Sequence, residues 1–129
     1  MYSQKVMERF KNPKHLKKMK NPDAVGTVGN AICGDMMYVY IKVDKKGGKE
    51  IIKDISVQTF GCVAAISTSD VVCDLALGKT LEEARKISKD DIIKELGSLP
   101  EIKTHCSVLA QNGLIKAIDN YKKKQDTTT

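Results

Sequence analysis

A chain of 129 residues is long enough for one compact domain and short for two, and with 41% apolar and 29% charged residues it is not a wholly disordered polymer. No stretch approaches the roughly 18 unbroken apolar residues of a membrane span, and the start MYSQKVMERFKNPKH lacks the apolar core of a secretory signal, so a cytoplasmic protein without a membrane partner is expected. The net charge of +6 raises nucleic acid as a partner, yet aromatics are 5% and no zinc finger, phosphate loop or aromatic RNA-binding signature is present. The lysines between Lys11 and Lys20 and at Lys122 to Lys124 therefore read as a solvated face or a dock for an acidic protein.

Taken in chain order, Tyr2, Val6 and Phe10 recur every four residues and predict a short amphipathic helix that Asn12-Pro13 stops. Asn21-Pro22-Asp23 marks a turn, and Ala24 to Val28 is a weak strand signal. MMYVYIKV, from Met36 to Val43, and the run from Ile51 to Phe60 are rich in β-branched and aromatic residues, and Lys45-Lys46-Gly47-Gly48 between them predicts a hairpin. After Gly61-Cys62 the text turns helical as far as Gly78. Thr80-Leu81-Glu82-Glu83 has the form of a capping box opening a second helix, and Ser88 to Leu96 gives another, closed by Gly97. Ala110, Leu114, Ala117, Ile118 and Tyr121 share one face of a last helix, from near Thr104 to about Tyr121. Strands first and helices after define an α+β domain over 1–124, with 125–129 as a flexible tail.

The four cysteines, Cys33, Cys62, Cys73 and Cys106, read as reduced thiols, since nothing else in the chain suggests an oxidising compartment. Three of them fall where elements meet. Cys33 lies in GNAICGD, where Gly34 allows a tight turn that lets Cys33 and Asp35 point the same way. Cys62 opens a helix, and Cys106 stands at the start of the last one beside His105, positions that favour thiolate through the free N–H groups there. On the residues alone, each of the three reads about equally as a ligand or as a small buried hydrophobe. Cys73 lies eleven residues after Cys62 on one helix, a rise of roughly 16 Å, so a single centre cannot use both and Cys73 is assigned to packing. Three cysteines with an aspartate or histidine make a weaker set than four thiolates, which suits a centre that must be released. His105 and Cys106 diverge by about 100° on a regular helix, so exchange between them is expected. His15 has no partner nearby in sequence and is read as a surface residue.

The segments GNAICGD, TFGCVAAISTS and LPEIKTHCSVLA resemble, in order, spacing and surroundings, the IscU/NifU-type iron–sulfur cluster assembly scaffolds. The likeness extends from YSQKVMERFKNPKH through GKTLEEA to the last helix. It implies an antiparallel three-stranded sheet against four to five helices, with the site at one exposed end, in a stand-alone scaffold that is not an enzyme. It also implies Cys33, Cys62 and Cys106 as ligands of a [2Fe–2S] cluster built from iron, with Asp35 keeping it labile and His105 as an additional ligand. Cys106 becomes the acceptor of persulfide sulfur from an IscS/NifS-like cysteine desulfurase, and Lys103 a residue supporting the loop and a chaperone contact. Apo iron–sulfur proteins would be the recipients, from a monomer or a cluster-bridged homodimer. The chain departs from the pattern twice: Val63 replaces the glycine that many members carry after Cys62, and Pro100 is followed by Glu101 where a second proline is usual, which weakens the case for an Hsp70-type chaperone. The alternatives from the residues are a zinc module, since Zn²⁺ accepts the same donors and suits the cluster-free form, and a sulfur acceptor without cluster. An enzyme with Cys106 as nucleophile has only the adjacent His105 in its favour, and sequence neighbours rarely form such a pair.

Overall fold

The computed structural model describes residues 3–30, 35–59, 63–97 and 105–127, with backbone alone at 30, 35, 105–106 and 124–127. Among the described residues, five helices and three strands follow in the order α1 (Gln4–Lys11), β1 (Ala24–Asn30), β2 (Asp35–Lys46), β3 (Lys49–Thr59), α2 (Val63–Ala76), α3 (Leu81–Arg85), α4 (Lys89–Leu96) and α5 (His105–Thr127). The sheet is antiparallel in the order β1-β2-β3. The expected α+β class is what forms, and the weak strand at Ala24 is a full edge strand. α5 continues past Tyr121, where the apolar pattern predicted its end, and takes in Gln125 to Thr127 of the expected tail.

The β2–β3 hairpin closes in the tightest way available. Lys46 pairs with Lys49, leaving Gly47 and Gly48 as a two-residue loop at φ 60° and 80°, a backbone that twists with the strands and that side chains resist. Further along, the register shifts: Lys42 faces Asp54 while Val43 faces Ile52, so Lys53 is left over as a β-bulge. The bulge explains why Ile52 and Ile55, three apart, are both fully buried, where strict alternation would turn one of them to water.

Met37, Val39 and Ile41 on β2 join Ile55 and Val57 on β3 to form the sheet's core face, on which the helices pack. α2 lies deepest, with Ala64, Ala65 and Ser67 to Cys73 all buried, and its small side chains let α1, α5 and the sheet approach from several sides. Its buried hydroxyls are satisfied: Ser67 Oγ donates to the Val6 carbonyl at 2.9 Å, Thr68 Oγ1 to that of Ala64 at 2.7 Å and Ser69 Oγ to that of Ile66 at 2.9 Å. α3 and α4 begin in capping boxes at Thr80/Glu83 and Ser88/Asp91.

One expectation is corrected. His15 is not a free surface residue: its side chain is 14% exposed, and Nε2 lies 2.7 Å from Asp74 Oδ1 on α2. Arg9 bonds both Asp74 and Asp70, the latter at 2.9 Å, while the backbone N–H groups of Lys14 and His15 donate to Asp70 Oδ1 at 2.9 and 2.8 Å. The N-terminal segment is thus clamped onto α2. It then meets the edge of β3, where Val57 N–H donates to the His15 carbonyl and Lys17 N–H to that of Val57.

Candidate metal centre at the open end of the sheet

Two close contacts fix how α5 lies on the sheet. A Cβ added at Gly26 would stand 2.3 Å from the Gly113 carbonyl oxygen and 2.4 Å from Ala117 N, so helix backbone rests directly on strand backbone. A Cβ at Gly113 would reach Val39 Cγ2 at 2.9 Å and Val28 Cγ2 at 3.4 Å. Helix numbers fall from 117 to 113 as strand numbers rise from 26 to 28, so α5 runs antiparallel to β1. From Gly113 back to His105 the helix advances about 12 Å, whereas β1 has only some 7 Å left between Val28 and Asn30. The first turn of α5 therefore stands at, or just beyond, the end of the sheet where β1 finishes.

That end collects other termini. Asn30 pairs with Asp35, which makes it the start of β2, and Met37 pairs with Thr59, the last residue of β3. Thr59 Oγ1 donates to the Met36 carbonyl at 2.7 Å, tying these two strand ends together. Val63, the first residue of α2, is four positions further on. The end of β1, the start of β2, the end of β3 and the starts of α2 and α5 thus lie at one pole, opposite the Gly47-Gly48 turn.

The predicted site residues distribute around this pole in a definite way. Asp35 is the first residue of β2, and His105 and Cys106 are the first two of α5. Cys33 and Gly34, Cys62 and Lys103 lie outside the described residues, in the stretches 31–34, 60–62 and 98–104 that connect those termini. Cys73 is in the described core, fully buried and unpaired in a disulfide, and burial pushes its thiol well above the ordinary range, assisted by the nearby Asp70 and Asp74 charges. Among the described residues no three His, Cys, Asp or Glu side chains gather to hold a metal elsewhere. No described helix is long and apolar enough to cross a membrane.

The sequence reading missed two features. The Arg9–Asp70–Asp74–His15 cluster was signalled by two aspartates four apart on an otherwise apolar and small-residue helix, a pattern that calls for buried cations. Ser107, next to Cys106, is fully buried and its Oγ has no hydrogen-bond partner among the described residues. A hydroxyl in the first turn of a helix, one residue from a candidate ligand, was its signal.

The described residues thus define a small α+β domain of one three-stranded antiparallel sheet and packed helices, whose strand ends and helix starts meet at one pole. Residues 1–128 match the NifU-like N terminal domain. The chain belongs to that family, the IscU/NifU type of iron–sulfur cluster assembly scaffold. It is 50% identical over 124 residues to the iron–sulfur cluster assembly scaffold protein IscU 1 of Archaeoglobus fulgidus, covering 96% of this chain and 78% of the relative. It is 41% identical over 127 residues to IscU of Buchnera aphidicola, covering 96% and 97%. Among solved structures, a putative iron–sulfur cluster assembly scaffold protein for the SUF system of Fervidobacterium islandicum shares the fold, with a TM-score of 0.72 and 23% identity over 91% of this chain and 96% of that one.

Proposed function

We propose that this chain assembles a transient [2Fe–2S] cluster at the open pole of its sheet and passes it to apo iron–sulfur proteins, with residues 1–124 as the working domain. The observation that carries the reading is the convergence of five element termini at one pole, because Asp35, His105 and Cys106 stand on the first residues of β2 and α5 there, Cys33 and Cys62 lie in the stretches joining those termini, and the core holds the one cysteine set aside. Cys33, Cys62 and Cys106 are the thiolate ligands, with Asp35 first and His105 second as the exchangeable fourth donor. Carboxylate and imidazole hold iron less firmly than thiolate does, so a cluster with one such ligand can leave. Both the iron and the cluster are cargo.

Cys106 is the assigned entry point for sulfur. Its thiolate attacks the outer sulfur of a desulfurase persulfide, the sulfur–sulfur bond there breaks, and the desulfurase cysteine leaves as thiolate, so the persulfide now stands on Cys106. Converting that sulfur to sulfide takes two electrons from an external reductant. The reading places the work in the cytoplasm, where thiols stay reduced. Lys103 adds a positive charge to the segment entering α5.

Anaerobic reconstitution with iron, cysteine and a desulfurase should give a brown protein with charge-transfer absorption. A colourless protein holding one tightly bound zinc would instead support the zinc module. Asp35→Ala should slow transfer to an apo-ferredoxin several-fold while leaving the cluster bound, and transfer as fast as wild type, or faster, would remove Asp35 from its role.

A further inference from the structure

The stretch between α1 and β1 is pinned at both ends. At its start, Asp70 holds the N–H groups of Lys14 and His15. Beside them, at the β3 edge of the sheet, Val57 N–H donates to the His15 carbonyl at 2.9 Å and Lys17 N–H to that of Val57 at 3.0 Å. At its finish, where β1 begins alongside β2, Asp23 N–H donates to the Ile41 carbonyl at 2.8 Å and Val43 N–H to Asp23 Oδ2 at 2.7 Å. Residues 17 to 23 therefore carry the chain from one edge of the sheet to the other as a strap with fixed ends. Met19 is its buried anchor, at 7% exposure.

The end of α1 and the strap display five exposed lysines, Lys11, Lys14, Lys17, Lys18 and Lys20, and no acidic residue lies between Glu8 and Asp23. Asp70 and Asp74, which reach this stretch from α2, are already matched by Arg9, His15 and two backbone N–H groups. Among the described residues the ion pairs use Arg9, His15 and Arg85 and no lysine. Five charges of a chain whose net charge is +6 thus stand together without an internal counter-charge. Set among them are Phe10 and Leu16, 37% and 36% exposed.

Like charges held side by side oppose the fold, and a merely solvated face needs neither pinned ends nor exposed apolar groups among its lysines. We propose that this strap is a docking surface for an acidic protein segment that carries apolar side chains among its carboxylates. The carboxylates meet the lysines, Phe10 and Leu16 supply the apolar contacts that a charged rim surrounds, and the pinned backbone has little order left to gain on binding. Nucleic acid fits less well, because phosphates offer nothing to Leu16 and Phe10 is the one phenyl ring between residues 10 and 23. A bilayer fits less well, because insertion uses a helix with a continuous apolar face, whereas this segment is not helical and buries Met19. Docking here is independent of the cluster chemistry.

The test reads the anisotropy of a fluorescein-labelled peptide of glutamates with interspersed leucines, at low salt, as the full chain is added. The strap variant combines Lys11→Gln, Lys14→Gln, Lys17→Gln, Lys18→Gln and Lys20→Gln. Its charge-matched control combines Lys45→Gln, Lys49→Gln, Lys86→Gln, Lys94→Gln and Lys116→Gln, all at exposed positions elsewhere. The strap variant should bind at least about ten-fold more weakly than wild type, and the control less than about two-fold. Leu16→Ser should weaken binding about three-fold, and replacing the peptide's leucines by serine should abolish that difference. In wild type, amide NMR shifts caused by the peptide should concentrate on residues 10 to 20, a readout that needs no variant to fold. Equal losses in the strap variant and the control would reduce the effect to net charge and overturn the proposal, as would shifts centred elsewhere or a peptide that does not bind. Tighter binding to a DNA duplex or to phosphatidylserine vesicles than to the peptide would give the surface to another class of partner and overturn it too. Each of these results would leave the scaffold reading intact.

Discussion

The middle of α2 and the pole where the strand ends meet both contain cysteine and aspartate, and the fold places them in opposite positions, one inside an element and one at element ends. At Asp70 and Cys73 the side chains are sealed in: Asp70 is 1% exposed and answered by Arg9 and two backbone N–H groups, and Cys73 is packed among Val71, Val72 and Ala76. At the pole, Asp35 and Cys106 stand on the first residues of β2 and α5, where backbone hydrogen-bonding runs out. Residue type alone therefore does not separate the two places. Position relative to an element's end does: the interior site satisfies its groups with the protein, and the scaffold reading proposes that the terminal one offers them to a ligand.

The largest test of the contrast is to break the interior site. Asp70→Ala strands Arg9 and the Lys14 and His15 N–H groups, and should cost about 3–5 kcal/mol in urea unfolding while the protein that remains folded still takes up cluster. A loss below about 1 kcal/mol would mean that the clamp does not hold the N-terminal segment.

A smaller effect is expected at Cys73. Cys73→Ala removes a buried sulfur and should cost about 1–2 kcal/mol, with cluster content unchanged. In the native cluster-free protein, iodoacetamide should leave Cys73 unmodified and react in urea, because burial holds the thiol in its protonated form. Rapid native alkylation at Cys73 would show that α2 opens far more readily than its packing implies.

The smallest effect lies at Asp74. Burial alone would raise its pKa, but the hydrogen bonds from His15 and Arg9 outweigh it and hold the carboxyl below the usual range. A lowered folded value means that the group contributes stability above its unfolded pKa of about 3.9, and that this is lost as pH falls through the folded value. Asp74→Asn should therefore flatten the acid limb of a stability–pH curve below about pH 4. An acid limb of unchanged slope would show that His15 and Arg9 do not select the ionised form.

Most of the fold was legible because its signals are local. The turn glycines, the capping box at Thr80, the short helix from Ser88 to Leu96 and the apolar stripe of α5 each declare themselves within a few residues. The bulge at Lys53 and the pairing of Leu16 with Val57 were not legible, since both depend on which strand lies alongside. His15 was misread for the same reason: its partner is 59 residues away and becomes a neighbour only when α2 is in place. At the candidate site, the positions of Asp35, His105 and Cys106 followed from element boundaries. Ser107 did not stand out, because a buried hydroxyl is unremarkable until its neighbours are known to be paired.

The claim that element ends, and not cysteine as such, define the site is tested most directly by reconstituting three proteins side by side under anaerobic conditions: wild type, Cys62→Ala and Cys73→Ala. Iron, acid-labile sulfide and the visible spectrum should match between wild type and Cys73→Ala and collapse in Cys62→Ala. Loss of the chromophore in Cys73→Ala, or its survival in Cys62→Ala, would contradict the account.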